Sequence, residues 1–209
     1  MKLIQQGAEA KIFLNKNEVT KDREPKTYRH PTLDNQIRTR RTRSEARILT
    51  KAKEAKINVP NLIHTEKHIL TIEYVDGDRL SQTLNDYTKN KQMTTMQKLG
   101  KQVAKLHENN IIHSDLTTSN VILKSGQRSA VSGQRQSKIY LIDFGLSYIS
   151  TKTENKAVDL HLIKQALEAK HFQNHEYLFQ EFLKEYIWKE SKAIIERLVV
   201  VEKRGRYKH

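Results

Sequence analysis

The chain has 209 residues, enough for one domain or for two small lobes sharing a cleft. Lys and Arg total 38 against 24 Asp and Glu, and the net charge of +14 favours polyanionic partners, nucleic acid above all. The absence of cysteine excludes disulfides and thiolate metal sites, and no apolar run approaches the roughly 20 residues of a membrane helix. The opening MKLIQQGAEAKIFL lacks the apolar core and cleavage site of a secretory leader, so no membrane role is expected. The expected setting is cytoplasmic, with the nucleus left open.

Residues 3–14 alternate around Gly7-Ala8 and read as strand, turn, strand. Asn15-Lys16-Asn17 is a second turn, and Glu18 to Asp22 a third strand. Strand side chains repeat every two residues, so Lys21 points where Val19 points. Pro25 and Pro31 bracket an irregular stretch. A long helix is predicted over 33–56, with Ile37, Ile48, Leu49, Ala52 and Ala55 on its apolar stripe. Glu45 lies on or beside that stripe, and Arg38, Arg40, Arg41, Arg43, Arg47 and Lys51 form a basic face. Two short strands follow Pro60, near 62–65 and 68–74. Asp76-Gly77-Asp78 then marks a boundary between an N-lobe (1–75) and a C-lobe (76–209).

In the C-lobe a helix is predicted over 96–109, followed by two apolar pieces around a polar loop in IIHSDLTTSNVILK. Residues 125–137 contain SGQR twice and read as a low-complexity loop, with Ser125, Ser129, Ser132 and Ser137 as candidate modification sites. KIYLIDFGLSYI is a buried strand running into a turn. Residues 156–200 read as helices with Trp188 in the core, and the tail from Glu202 is basic.

The strongest chemical pattern is His113-Ser114-Asp115, then Asn120, then Asp143-Phe144-Gly145. It matches H-x-D-x-x-x-x-N followed by D-F-G, the layout of phosphoryl-transfer sites in kinases. Six fixed residues recur by chance at a frequency on the order of 10⁻⁴ even over all start points and loop lengths. Asp115 is the candidate base for an attacking hydroxyl or water. Asn120 and Asp143 offer oxygen ligands for magnesium against the phosphates of ATP. Gly145 is read as allowing a sharp backbone turn.

Lys21 and Glu45 form a second set: a strand lysine for the α- and β-phosphates and a helix glutamate to hold it. Taken singly, the lysine reads as solvated and the glutamate as a partner for an i±4 arginine such as Arg41. Gln6-Gly7-Ala8-Glu9-Ala10 takes the place of the phosphate-covering loop, with one glycine where three are usual. Glu73-Tyr74-Val75 is the candidate hinge, with Glu73 and Val75 meeting adenine. Asp159 is placed to anchor the His113–Asp115 loop from below, and His113 is read as structural. Only 16 residues separate Asp143 from Asp159, with no A-P-E motif, which leaves little room for a peptide platform.

QGAEA, VTKDREPKTYRHPTLD, RTRSEARIL, HSDLTTSNVIL, LIDFGLS, KAVDL and the terminal KRGRYK together resemble one family, the small atypical kinase subunit of the KEOPS (EKC) complex. The resemblance covers nearly the whole chain. It implies an α+β, minimal two-lobed, RIO-like kinase fold with serine/threonine autophosphorylation and ATPase activity. It also implies two partners: the complex's catalytic subunit, which makes threonylcarbamoyladenosine in tRNA, and a small cystatin-like subunit on the N-lobe. Ser114 stands where the family usually has Gly, Glu154-Asn155-Lys156 where it has Glu-Asp-Lys, and 125–137 looks like an insertion.

Two other readings stand beside this one. The charge, the arginine-rich helix face and the basic tail suit a tRNA-binding adaptor that holds ATP structurally. A small-molecule kinase of the aminoglycoside or choline type shares the motifs, yet only about 50 residues follow Asp159, too few for the substrate-binding part such enzymes carry.

Overall fold

The computed structural model describes residues 1–7, 9–126 and 136–206, the last two of them by backbone alone. Ala8, most of the SGQR loop with Ser129 and Ser132, and the end of the tail at 207–209 lie outside the described residues. The chain runs β1 (Lys2–Gln6), β2 (Lys11–Asn15), β3 (Glu18–Asp22), α1 (Pro31–Glu54), β4 (Leu62–Glu66) and β5 (Ile69–Glu73). The five strands form one antiparallel sheet in the order β1-β2-β3-β5-β4. Lys21 pairs with Leu70 and Val19 with Ile72, so the lysine projects from the sheet in line with apolar neighbours.

Helix α1 begins two residues earlier than the sequence pattern predicts. Pro31 is its first residue, where the missing N–H costs nothing and the fixed φ fits a helix. Asp34 in the first turn accepts the amide of Lys26 at 3.2 Å and the side chain of Arg38 at 2.6 Å. Burial alone would raise its carboxyl; Arg38, the Lys26 amide and the nearby Arg29 hold it below the usual carboxylate range. The helix ends before Lys56, whose φ of 57° is left-handed. Ile48, Leu49 and Ala52 face the core.

The second lobe holds β6 (Asp78–Arg79), α2 (Leu80–Thr83), α3 (Lys89–Glu108), β7 (Ile111–Ile112), β8 (Val121–Lys124), β9 (Lys138–Leu141), β10 (Tyr148–Ile149), α4 (Thr153–Lys170), α5 (His175–Glu185) and α6 (Ser191–Arg206). α3 starts seven residues before its apolar pattern does. Thr88 caps it by accepting the amide of Lys91, and the polar Gln92 and Thr95 extend its buried stripe. Gln92 is satisfied by donating to the carbonyl of Leu84 at 3.0 Å. α3 packs on α5 at Gly100, where a β-carbon would lie 2.0 Å from the carbonyl oxygen of Phe182. α4 packs on α6. Leu99, Leu106, Leu160, Phe182 and Tyr186 are buried in this core. Trp188, expected there, is only half-buried; the smaller Tyr186 fills the interior position, and Trp188 covers the ammonium of Lys156 from 4.6 Å.

After the D-F-G turn the chain closes at once: Tyr148 and Ile149 pair antiparallel with Ile112 and Ile111, and α4 begins at Thr153. Among the described residues no helix is long and apolar enough to cross a membrane.

Candidate active site

β8 and β9 hold the two halves of the site together. Val121 pairs with Leu141, and the amide of Ile142 donates to the carbonyl of Asn120 at 3.0 Å. This register places Asn120 and Asp143 at the same end of a buried ribbon. The Asn120 side chain then donates to the backbone carbonyl of Asp115 at 2.9 Å and to its carboxylate at 2.8 Å. With its nitrogen so committed, the amide oxygen of Asn120 is the atom left for other partners.

From the opposite lobe, Lys21 Nζ reaches Glu45 Oε1 at 3.1 Å and Asp143 Oδ1 at 2.7 Å. Burial pushes the Asp143 carboxyl up, but the Lys21 ammonium, as a charge and as a donor, and the Gly145 amide hold it below the usual range. Asp143 is therefore ionised at neutral pH. Glu45 does not pair with Arg41. Its second oxygen takes Arg23 at 2.6 Å, and Arg41 instead pairs with Glu9 of the N-lobe loop. That bond holds the Glu9 carboxyl below its ordinary value, against a smaller upward push from burial. A carboxylate that borders the cleft is thus neutralised and the loop is tied to α1.

Asp143 itself carries the left-handed backbone, with φ of 61°. Gly145 does not, which corrects the sequence expectation. Its glycine keeps space open: a β-carbon would stand 3.0 Å from Lys21 Nζ and 3.1 Å from Asp143 Oδ1.

Asp159, fully buried in α4, accepts the amides of His113 at 2.6 Å and Ser114 at 2.8 Å. It also faces His107 Nε2 at 3.2 Å, and His107 Nδ1 lies 2.7 Å from the Tyr186 hydroxyl. Burial pushes the Tyr186 phenol up, so its hydroxyl stays protonated and donates to Nδ1. His107 Nε2–H then donates to Asp159. His113 is buried against Phe144 and donates Nε2–H to the Ile142 carbonyl at 3.1 Å. The Ser147 hydroxyl donates to the His113 carbonyl at 2.9 Å. The backbone of the His113–Asp115 loop is thus held from two sides. His107 and Tyr186 carry no motif, and Ser147 ends LIDFGLS with no role that the sequence assigns to it; their apolar surroundings are the hint of burial.

Two adjoining cavities lie between the lobes. One, of about 190 Å³, is lined by Ile12, Val19, Ile72, Tyr74, Ile142 and the candidate hinge residues Glu73 and Val75. The amides of Glu73 and Tyr74 are committed to the carbonyls of Asn61 and Asn17, at 2.9 and 2.8 Å. The other, of about 340 Å³, is lined by Gly7, Glu9, Ala10, Lys21, Asp115 and Asp143, with Arg23 and Gly145. Gln6 is exposed and stands outside both linings, where Gln5 takes its place. Strand alternation explains the exchange, since neighbours face opposite sides.

On the basic face of α1, Arg38 and Arg41 are paired with Asp34 and Glu9, whereas Arg40, Arg43, Arg47 and Lys51 remain exposed.

An antiparallel N-lobe sheet with one long helix, a helical C-lobe and a Lys–Glu–Asp–Asn set between them define a protein-kinase-like fold of the minimal, RIO type. A family model described as the RIO domain matches residues 7–158. The chain is 40% identical over 224 residues to KEOPS complex subunit Bud32 of Pyrococcus abyssi, covering all of this chain and 97% of that one. It belongs to the Bud32 family of RIO-domain, kinase-like KEOPS subunits. It is also 34% identical to a probable bifunctional tRNA threonylcarbamoyladenosine biosynthesis protein of Methanosarcina barkeri, of which it spans 35% while 98% of its own length is covered. Among solved structures it resembles a Rio2 kinase complex with ADP, Mg²⁺ and phosphoaspartate from Chaetomium thermophilum. The TM-score is 0.66 at 13% identity, over 98% of this chain and 72% of the other.

Proposed function

We propose that the protein is an ATP- and magnesium-dependent atypical serine/threonine kinase and ATPase, acting as a subunit of a KEOPS complex in tRNA threonylcarbamoyladenosine modification. The observation that carries this reading is the meeting of Lys21, Glu45 and Asp143 across the cleft, beside Asp115 and Asn120. In this reading the lobes divide at 75/76. The apolar cavity takes adenine against Glu73 and Val75, and the adjoining polar cavity takes the phosphates beneath Gly7, Glu9 and Ala10.

The residues fit a magnesium ion: an ionised carboxylate on Asp143 and an amide oxygen on Asn120 are hard donors of the kind it prefers. When bound, the ion neutralises phosphate charge. Lys21 binds the inner phosphates and Glu45 orients Lys21. Asp115 accepts the proton of a serine or threonine hydroxyl as its oxygen bonds to the γ-phosphorus and the bond from that phosphorus to the β-phosphate oxygen breaks. Water in place of the hydroxyl gives ATPase activity, and the short span between Ile149 and Thr153 favours that outcome by leaving no peptide platform. Catalytic and cystatin-like KEOPS subunits are the proposed partners.

The test is to incubate the protein with γ-labelled ATP, with magnesium or with a chelator. Label on protein or as free phosphate, with magnesium only, supports the reading. Turnover unaffected by the chelator would overturn it.

The exposed arginines of α1 favour a second role in binding tRNA, alongside the first or in its place with ATP held structurally. Phosphate contacts make such affinity fall steeply with salt. Binding that ignored salt, or that survived loss of Arg40, Arg43, Arg47 and residues 203–209, would rule it out.

A further inference from the structure

The loop that carries Asp115 and Asn120 has two ends, and Asp159 holds the first. The second closes in a single tight helical turn, Thr118–Asn120, where the Asn120 amide donates to the Thr117 carbonyl at 3.0 Å. The side-chain nitrogen of Asn120 is spent on Asp115, so the direction of its oxygen follows from where this turn sits. Thr118 opens the turn and is only 1% exposed; its hydroxyl lies 3.3 Å from Nε2 of His171, itself only 2% exposed.

His171 ends α4, where its amide donates to the Leu167 carbonyl at 2.8 Å. Its Nδ1 lies 2.6 Å from Oδ1 of Asn85, in the turn Leu84–Asp86. Asn85 donates its nitrogen to the Lys170 carbonyl at 3.2 Å, so its oxygen is the atom that faces the ring. Burial, with the Lys170 charge adding to it, holds the imidazole below its ordinary value. The ring is therefore neutral, with one donor and one acceptor. The proton belongs on Nδ1, donated to Asn85, and the bare Nε2 accepts from Thr118. The other tautomer would set two acceptors 2.6 Å apart.

One helix thus serves both ends of the loop: Asp159 within α4 takes the amides of His113 and Ser114, and His171 at its end takes the hydroxyl of Thr118. We propose that His171 is a positioning residue for the magnesium site, fixing through Thr118 the turn that aims the Asn120 oxygen at the ion. This rests on the ATP–magnesium reading above and deepens it. His171 stands outside both cavity linings, so it acts through Thr118 and Asn120 and not by touching the nucleotide. Such fixing matters, because a misplacement on the order of 1 Å at a reacting site can cost about 100-fold in rate.

Thr118→Val removes the hydroxyl and keeps the shape, and Thr118→Ser keeps the hydroxyl. His171→Gln can offer an amide oxygen where Nε2 stands, and His171→Phe cannot. Nitrogen-15 NMR of the nucleotide-free protein reads the His171 ring in the wild type and the Asn120 side-chain amide in every variant. Nucleotide binding is then measured with magnesium and with a chelator, and each fold is checked by circular dichroism. The expected ring is the Nδ1–H tautomer, and the Asn120 signal should move in Thr118→Val and His171→Phe but not in Thr118→Ser. In the first two, the affinity gained from magnesium should shrink roughly 10-fold while binding in chelator changes by less than about twofold, the scale of one hydrogen bond lost from a buried group. His171→Gln should recover part of that gain. If the histidine variants do not fold, the Thr118 pair alone carries the test. A proton on Nε2, an unmoved Asn120 signal in Thr118→Val, or equal losses with magnesium and with chelator would overturn the assignment. A folded wild type that binds no nucleotide, or binds it no better with magnesium, would overturn the ATP–magnesium reading itself; the NMR signals would still decide whether His171 holds Asn120.

Discussion

Lys21 Nζ lies 2.7 Å from Asp143 Oδ1, although 122 residues separate them in the chain. The contact joins the N-lobe sheet to the turn after β9 and sets the charge state of the carboxylate. In Lys21→Met burial would act on Asp143 without its main opponent. Carbon-13 NMR titration should then find the Asp143 carboxyl moved upward, out of its depressed range. An unchanged titration would show that Lys21 is not what holds it down.

The buried chain Tyr186–His107–Asp159 ends on the amides of His113 and Ser114. Tyr186→Phe removes the donor to His107 Nδ1 and should cost about 1–3 kcal/mol in denaturant unfolding. Asp159→Asn keeps one carboxyl-like oxygen for two amides and a histidine, so it should cut turnover more than it cuts nucleotide affinity. Equal losses in both would place its role in general stability.

Ser114 has φ of 64°, a left-handed conformation that glycine adopts without strain. Ser114→Gly should leave thermal stability within about 1 kcal/mol and turnover intact, because the relief of strain is offset by greater freedom in the unfolded chain. Ser114→Val puts a β-branched residue where such residues do not belong, and should lower both.

Asp34 and Glu181 are both held below the usual carboxylate range. For Asp34, burial opposes Arg38 and the Lys26 amide; for Glu181, donation from Lys184 leads, against burial and with help from Gln97. A carboxyl depressed by folding adds stability above its unfolded value, near 4, and loses that contribution as pH falls through its folded value. Unfolding midpoints should therefore drop on acidification below about pH 4, and Asp34→Asn should flatten that drop. A variant with the wild-type slope would remove Asp34 from the account.

The sequence already shows the strands and helices of the N-lobe, because period-two and period-3.6 patterns survive there. The start of α3 is not legible because Gln92 and Thr95 are polar yet buried, and the Leu84 carbonyl that satisfies Gln92 is brought to it only by folding. Motif spacing points to Asp115, Asn120 and Asp143, and strand alternation and helix position point to Lys21 and Glu45; the fold gathers all five side chains around one cleft. The burial of Arg23 against Glu45 is not legible, because nothing local distinguishes a buried arginine from the many exposed ones. Gln5, not Gln6, borders the cleft, because a one-residue offset along a strand reverses its face.

The most direct measurement is magnesium-dependent ATP turnover by the wild type and Asp143→Ala, each with and without a KEOPS catalytic subunit, alongside nucleotide binding. The account predicts that label transfer or phosphate release occurs with the wild type and falls to background in the variant. Turnover at the wild-type rate in Asp143→Ala would contradict it. So would nucleotide bound by the wild type but never turned over in any mixture, which would leave ATP a structural ligand of a tRNA adaptor.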